Sequence, residues 1–461
     1  MTRVGSSITV DVREAGRPAR AADLSRGFAS APANKFLIVF LVAGLLFEMD
    51  AFRMQLSGND PGAPIDRNAA SMVVQILTGS IIVVACGLLL CSRRTSEMAL
   101  GTWPIFVMPA MAFVSMLWSP DPDYTLRKSV AFTAAVLIGF LVATVLSAKD
   151  GIRLLGRVLS AAIVLSVVWV YLFPRYGVHN AADNGETPLV GDWRGVFSHR
   201  TGLGHVAGLT TVLLVFYASH IWSSRIFRYG IVVLAVTCLI KADSGGGLLT
   251  LTFGALALLF SQALIKMRPT LRGSAFFFML LTVVPLILFA PQLLKTLLAV
   301  LGKDSDLTGR IPLWDALLVL AQTHPLLGFG YAAGFAYEVQ PRLLAATGYA
   351  YAHCHNGYLE VLIAFGYVGL GICLAVIIWL LAAAGRLVVA PPKHLGHLSG
   401  LPFVIVMYAL GANCIESFLI TESCYAVVLI ALAAGLATRA RLEDRELGEW
   451  TASFRQGVDH E

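Results

Sequence analysis

Apolar segments close to the twenty or so residues that a helix needs to cross about 30 Å of hydrocarbon recur along almost the whole chain. No other feature restricts the possible folds so strongly, because a backbone in lipid must satisfy its own hydrogen bonds. The alternation of apolar and polar residues that a β-barrel would need is absent. With 57% hydrophobic and 13% charged residues, the chain also lies far from the roughly half apolar, quarter charged make-up of a soluble domain. The expected fold is an all-α, polytopic membrane helical bundle.

About twelve spans are expected, near residues 35–51, 71–91, 98–117, 129–147, 154–173, 202–223, 226–241, 245–265, 274–294, 357–382, 400–420 and 423–438. The short loops give the orientation: Arg93, Arg94, Lys149, Arg153, Arg225, Arg228, Lys266, Arg268, Arg272, Arg386 and Lys393 fall on one side, which should be cytoplasmic. Residues 1–34 are rich in Ala, Ser, Gly and Arg and read as a disordered cytoplasmic tail, with no cleavable signal expected. The organisation expected from this is N-terminal transmembrane helices over 35–173, a first long outer loop over 174–201, central helices over 202–294, a second long outer loop over 295–356, C-terminal helices over 357–438 and a cytoplasmic tail over 439–461. The formal net charge of +6 is then mostly a topology signal. It comes without the basic and aromatic pattern of a nucleic-acid binder.

Six of the seven cysteines, namely Cys86, Cys91, Cys238, Cys373, Cys414 and Cys424, lie in or at the ends of apolar spans. Cys354 alone sits in a long outer loop, so no disulfide framework is expected.

Four polar patches share the outer face: WRGVFSHRTGLGHVAG (193–208), KADSGGGLLT (241–250), DLTGRIPLWDALLVLAQTHPLLGFGYAAG (306–334) and HCHNGYLE (353–360). Arg200 stands where a loop meets a span. Arg310 precedes a short helix whose Pro312 suits a first turn and whose Trp314, Leu317, Leu318 and Ala321 form an apolar face, expected to lie on the membrane surface. A guanidinium in either place can bind phosphate bidentately, and snorkelling to lipid headgroups is the alternative. The glycines after Ser244 either offer backbone amides to an anion or make a tight turn, with Lys241 beside them as a further phosphate contact or an interface anchor. Asn356 suits an N-cap for the helix that follows, and Glu360 is close enough in sequence to complete a local polar network. That leaves His355 beside the first turn, with an imidazole suited to proton transfer. The spacing of His353 and His355 lacks the usual zinc pattern, so no metal is assigned.

The order GxFxHR, then TGRxxLW with HPLLGxGxxxF, then HNGYLExLxxxGxxGL, over roughly residues 190–440, resembles the O-antigen ligase and polymerase superfamily, and within it the exopolysaccharide polymerase type. The resemblance implies a GT-C-like glycosyltransferase of the bacterial inner membrane with its active site facing the periplasm; attack opposite the leaving diphosphate would make it inverting, and it is expected to be metal-independent and to need no cofactor. It implies glycan carried on undecaprenyl diphosphate as donor, an acceptor glycan, and a flippase and chain-length regulator of the same pathway as partners. The family's two loop arginines match Arg200 and Arg310, and its loop-end histidine matches His355. Lys241 stands in for an arginine that often precedes the glycines, and His199, Asn356 and Glu360 are taken as supporting. The chemistry is consistent, since a lipid diphosphate sugar is already activated and no nucleotide-binding P-loop is visible. A ligase to lipid A core uses the same donor and remains an alternative. A flippase or other transporter is a further one, though few charges lie within the spans.

Overall fold

The computed structural model describes residues 32–57, 71–181, 183, 189–288, 310–422 and 424–458. The chain divides into two units, residues 1–43 and 44–461, of which the second carries the helical bundle. Among the described residues there is no strand, and one isolated antiparallel bridge joins Val178 to Trp193. The protein is an all-α, polytopic membrane protein, and eight helices among the described residues are long and apolar enough to cross a bilayer.

The principal helices are α1 (Pro32–Glu48), α2 (Met72–Cys91), α3 (Thr95–Leu117, with two 3-10 turns), α4 (Pro122–Val145), α5 (Ala148–Leu172), α6 (Arg200–Ile221), α7 (Arg225–Lys241), α8 (Gly245–Lys266), α9 (Pro269–Leu288), α10 (Arg310–Ala321), α11 (Gly357–Val389), α12 (Leu401–Ala412) and α13 (Tyr425–Val458). Side-chain caps start several of them. Asp121 accepts from Tyr124 N–H at 2.9 Å ahead of α4, Ser147 from Asp150 N–H ahead of α5, and Ser244 from Gly247 N–H ahead of α8. Helix α4 lies along α13; α6 packs on α5, α7 and α8; and α8 packs on α12.

Several boundaries differ from expectation. The expected tail 1–34 lies outside the described residues except for 32–34, which begin α1, and residues 289–309 lie outside them as well. The span expected over 400–420 stops at Ala412. Its end is drawn by Asn413, whose side-chain amide donates to Ala409 C=O and whose Oδ1 accepts from Phe418 N–H. The tail expected from 439 is a continuation of α13 to Val458. Helix α10 does not bury its apolar face in a membrane surface. Leu313, Trp314, Leu317 and Ala321 form a core with Phe329, Phe335, Val339, Leu343, Leu362 and Ile363, while Leu318 is exposed. Protein side chains at close-packed density are available on that face, so lipid is not needed to cover it.

Helix α11 is interrupted at Gly366, whose φ of 64° and ψ of −165° are open to glycine alone. The break frees backbone groups on both sides, and the segment 325–330 satisfies them. Phe329 and Gly330 N–H donate to Ile363 and Ala364 C=O at 2.8 and 3.0 Å, while Tyr367 and Val368 N–H donate to Pro325 and Leu326 C=O at 2.7 and 3.2 Å. The HPLLGFG stretch is therefore the plug of a broken helix. It fixes the segment before α11 to the first third of that helix.

Candidate active site

The first half of the site is built at the N-terminus of α6. His199 caps the helix, its Nδ1 accepting from Thr201 N–H at 3.2 Å. Arg200 N–H donates to His179 Nε2 at 3.2 Å. The Arg200 guanidinium pairs with Asp192 and donates to Asp243 C=O at 3.0 Å, with the Asp243 carboxylate 3.8 Å away. Asp243 itself holds a φ of 42°. Helices α6 and α8 approach closely at Gly204, where a Cβ would stand 2.5 Å from Ser244 Cβ, and this small-residue contact brings the turn 241–247 beside Arg200. Lys241 is exposed on that turn, and its C=O accepts from Trp193 N–H at 2.9 Å. Beneath lies a buried network. Asp183 meets His179 Nδ1 and Arg194, each at 3.1 Å, and Arg194 also donates to Tyr176 C=O at 2.8 Å. These groups are not among the residues expected from the sequence, because charge alone does not say which arginine of a loop is buried.

The second half is built around Glu416, in the irregular segment between α12 and α13. Its two oxygens meet Arg310 at 3.0 Å and His355 Nδ1 at 3.3 Å. Arg310 also donates to Ile415 C=O at 2.9 Å. Burial alone would push the Glu416 carboxyl up, but the His355 hydrogen bond and the charges of Arg310 and His353 outweigh it and hold the group down at about 2. Glu416 is a site member to which the sequence alone assigns no role. The available signal is a carboxylate between two apolar spans.

His355 is held from both sides and carries a φ of 49°. On one side, Cys354 C=O accepts from Trp314 Nε1 at 3.0 Å and Cys354 N–H donates to Glu360 at 2.9 Å. On the other, Asn356 caps α11 through Oδ1, accepting from Tyr358 and Leu359 N–H at 3.0 and 3.1 Å. Gly357 follows because a Cβ there would lie 2.1 Å from Asn413 Oδ1. His353 stands beside His355 with ring centroids 4.1 Å apart, and its Nδ1 accepts from His355 N–H at 3.2 Å. Burial first, and then the neighbouring His355, push the His353 imidazole down to about 3. His199 contributes to the same depression.

His353, His355 and Glu416 each place one ligand atom within 4.8 Å of the others, a donor set that the histidine spacing by itself does not suggest. In this arrangement both Glu416 oxygens and His353 Nδ1 are already engaged by Arg310 and His355. The Glu416 carboxylate stands on Nδ1 of the His355 imidazole, as a carboxylate that orients a histidine does.

Residues 230–374 match the family described as O-antigen ligase, Wzy_C, and the match takes in α8, Arg310 and His355. The chain is also 26% identical over 278 residues to the exopolysaccharide production protein ExoQ of Rhizobium meliloti (strain 1021), covering 58% of this chain and 61% of the relative. Both matches make this chain similar to members of the O-antigen ligase and polymerase superfamily. Arg200 and Glu416 lie outside the stretch that matches the O-antigen ligase family. The candidate site thus adds to the matched stretch an arginine from before it and a carboxylate from after it.

Proposed function

We propose that the protein is a polysaccharide polymerase or ligase that transfers glycan from undecaprenyl diphosphate to an acceptor hydroxyl at the periplasmic face of the bacterial inner membrane. The observation that carries this reading is the Arg310–Glu416–His355 chain of contacts. His355 takes the proton of the acceptor hydroxyl. The acceptor oxygen bonds to the anomeric carbon as the bond from that carbon to the phosphate oxygen breaks, and the electron pair leaves on the diphosphate. Attack from the face opposite the leaving group inverts configuration, and no metal is required.

Glu416 orients the imidazole and stabilises its protonated form. Arg310 uses one N–H on Glu416 and one on Ile415 C=O, and the rest of its five donors are available to the diphosphate. Arg200 contacts the same group from the first loop, with Lys241 alongside. Both arginines are already paired with carboxylates, so their net pull on an anion is moderated. That suits a site which must release its product diphosphate.

The name of the Rhizobium relative, an exopolysaccharide production protein, favours the polymerase reading, and the description of the matched family, O-antigen ligase, favours the ligase reading. Deleting the gene and separating surface glycans by size decides between them. Single repeats are expected for a polymerase, and chains of normal length that stay lipid-linked for a ligase. Normal glycan on the surface of the deletion strain would refute both readings. A chelator added to the purified protein should leave turnover unchanged.

A further inference from the structure

At the basic end of the molecule, away from the candidate active site, a cavity of about 510 Å³ opens between α9, α11 and α13. Its walls are apolar, formed by Phe276, Ala382, Leu387, Val389 and Pro392, and its size falls in the range of ligand-holding clefts. Gly385 forms one wall because the Phe276 ring packs onto it, so tightly that a Cβ there would lie 2.1 Å from the ring.

The polar lining is what calls for an occupant. Arg386 and Arg441 both face this cavity, and the charge of one bears on the other. Neither forms an ion pair with a described residue. Arg441 donates only within its own helix, to Ala437 C=O at 3.3 Å and Thr438 Oγ1 at 3.2 Å. Asp444 is the one carboxylate of the lining, and His394 lies 3.9 Å from it. Two guanidinium charges against one lining carboxylate leave the cavity net positive, and an anion placed between them offsets their mutual repulsion.

We infer that this cavity binds an anionic phospholipid of the cytoplasmic leaflet. The phosphodiester sits between Arg386 and Arg441, which can each present a fork of donors to it, and an acyl chain runs along the Phe276 and Leu387 wall. The leaflet follows from the same short-loop charge bias that orients the chain: Lys266, Arg268 and Arg272 flank the α8–α9 turn, and Arg272 donates to Val389 C=O at 3.4 Å beside the cavity. The inference does not depend on the catalytic reading.

The test uses the full chain, purified and exposed to equal amounts of dioleoyl phosphatidylglycerol and dioleoyl phosphatidylcholine, with bound lipid read by native mass spectrometry. Phosphatidylglycerol should be retained and phosphatidylcholine washed away. Arg386→Gln with Arg441→Gln should lower retention roughly thirtyfold, and Arg386→Gln alone, at an exposed side chain, roughly fivefold. Ala382→Phe, which fills the cavity without altering charge, should lower it too. Equal retention of the two lipids, or undiminished phosphatidylglycerol on an R386Q chain of normal melting temperature, would overturn the proposal. So would inorganic phosphate that displaces the lipid at matched concentration, since that would assign the affinity to charge alone.

Discussion

At the scale of single residues, His355 and its partners carry the sharpest expectations. A positioned base is worth about a hundred- to ten-thousandfold in rate, so His355→Asn should remove turnover by that factor. Asn tolerates the left-handed region, so the φ of 49° is kept and the protein should remain in the membrane at its normal level. Wild-type turnover by H355N would sink the assignment. Arg310→Ala should cost on the order of a hundredfold, by analogy with the loss of one preorganised donor, with Lys restoring only part because it lacks the fork; an R310A protein turning over lipid-linked donor at full rate would contradict this. Acid should also destabilise the fold. Below pH 6.5 the unfolded chain protonates His353, whereas the native chain resists until about 3, so stability is lost as pH falls through that window. Glu416 adds to the loss between 4.5 and about 2, where its ion pairs are neutralised. His353→Gln should flatten the melting-temperature profile between pH 6.5 and 4.5; an unchanged profile would show that His353 is not held neutral. The Asn356 cap and the place of Glu360 in the same polar network were legible because these groups lie close together in the sequence, whereas the role of His355 is a proposal. Glu416 and Asp192 were not, since an acid's pairing with a distant arginine is set by tertiary approach.

At the scale of elements, the spans of α2 to α6 and α8 could be read from apolar run length, because lipid requires that length. What run length could not show is the break in α11, since GYVGL reads as continuous apolar helix. Nor could it show that HPLLGFG supplies the missing hydrogen bonds, because that pairing joins segments some forty residues apart. Gly366→Ala tests the break. Its new Cβ would lie 2.3 Å from Leu326 C=O in a backbone conformation closed to alanine, so the cost should reach about 3 kcal/mol. The expected result is a clear drop in the melting temperature of the detergent-solubilised protein. A melt indistinguishable from wild type would mean that the plug is dispensable.

At the scale of the whole molecule, the orientation is the assumption on which the site's reading rests. A reporter fused after residue 190 or 340 should be active only in the periplasm, and one after 270 or 390 only in the cytoplasm, as the short-loop charges require. Cytoplasmic activity at residue 340 would move the proposed chemistry to the wrong side. Helix α13 adds a mechanical property. Its 34 residues rise about 51 Å at 1.5 Å each, some 20 Å more than the hydrocarbon thickness, and they begin nine residues after Glu416. It is a single rod with the carboxylate of the site tethered at one end and an acidic and basic stretch protruding at the other. Anchored by Arg94 to Glu446 and by Ala148 N–H to Glu443, this rod gives the segment that carries Glu416 a fixed footing that spans the whole bundle.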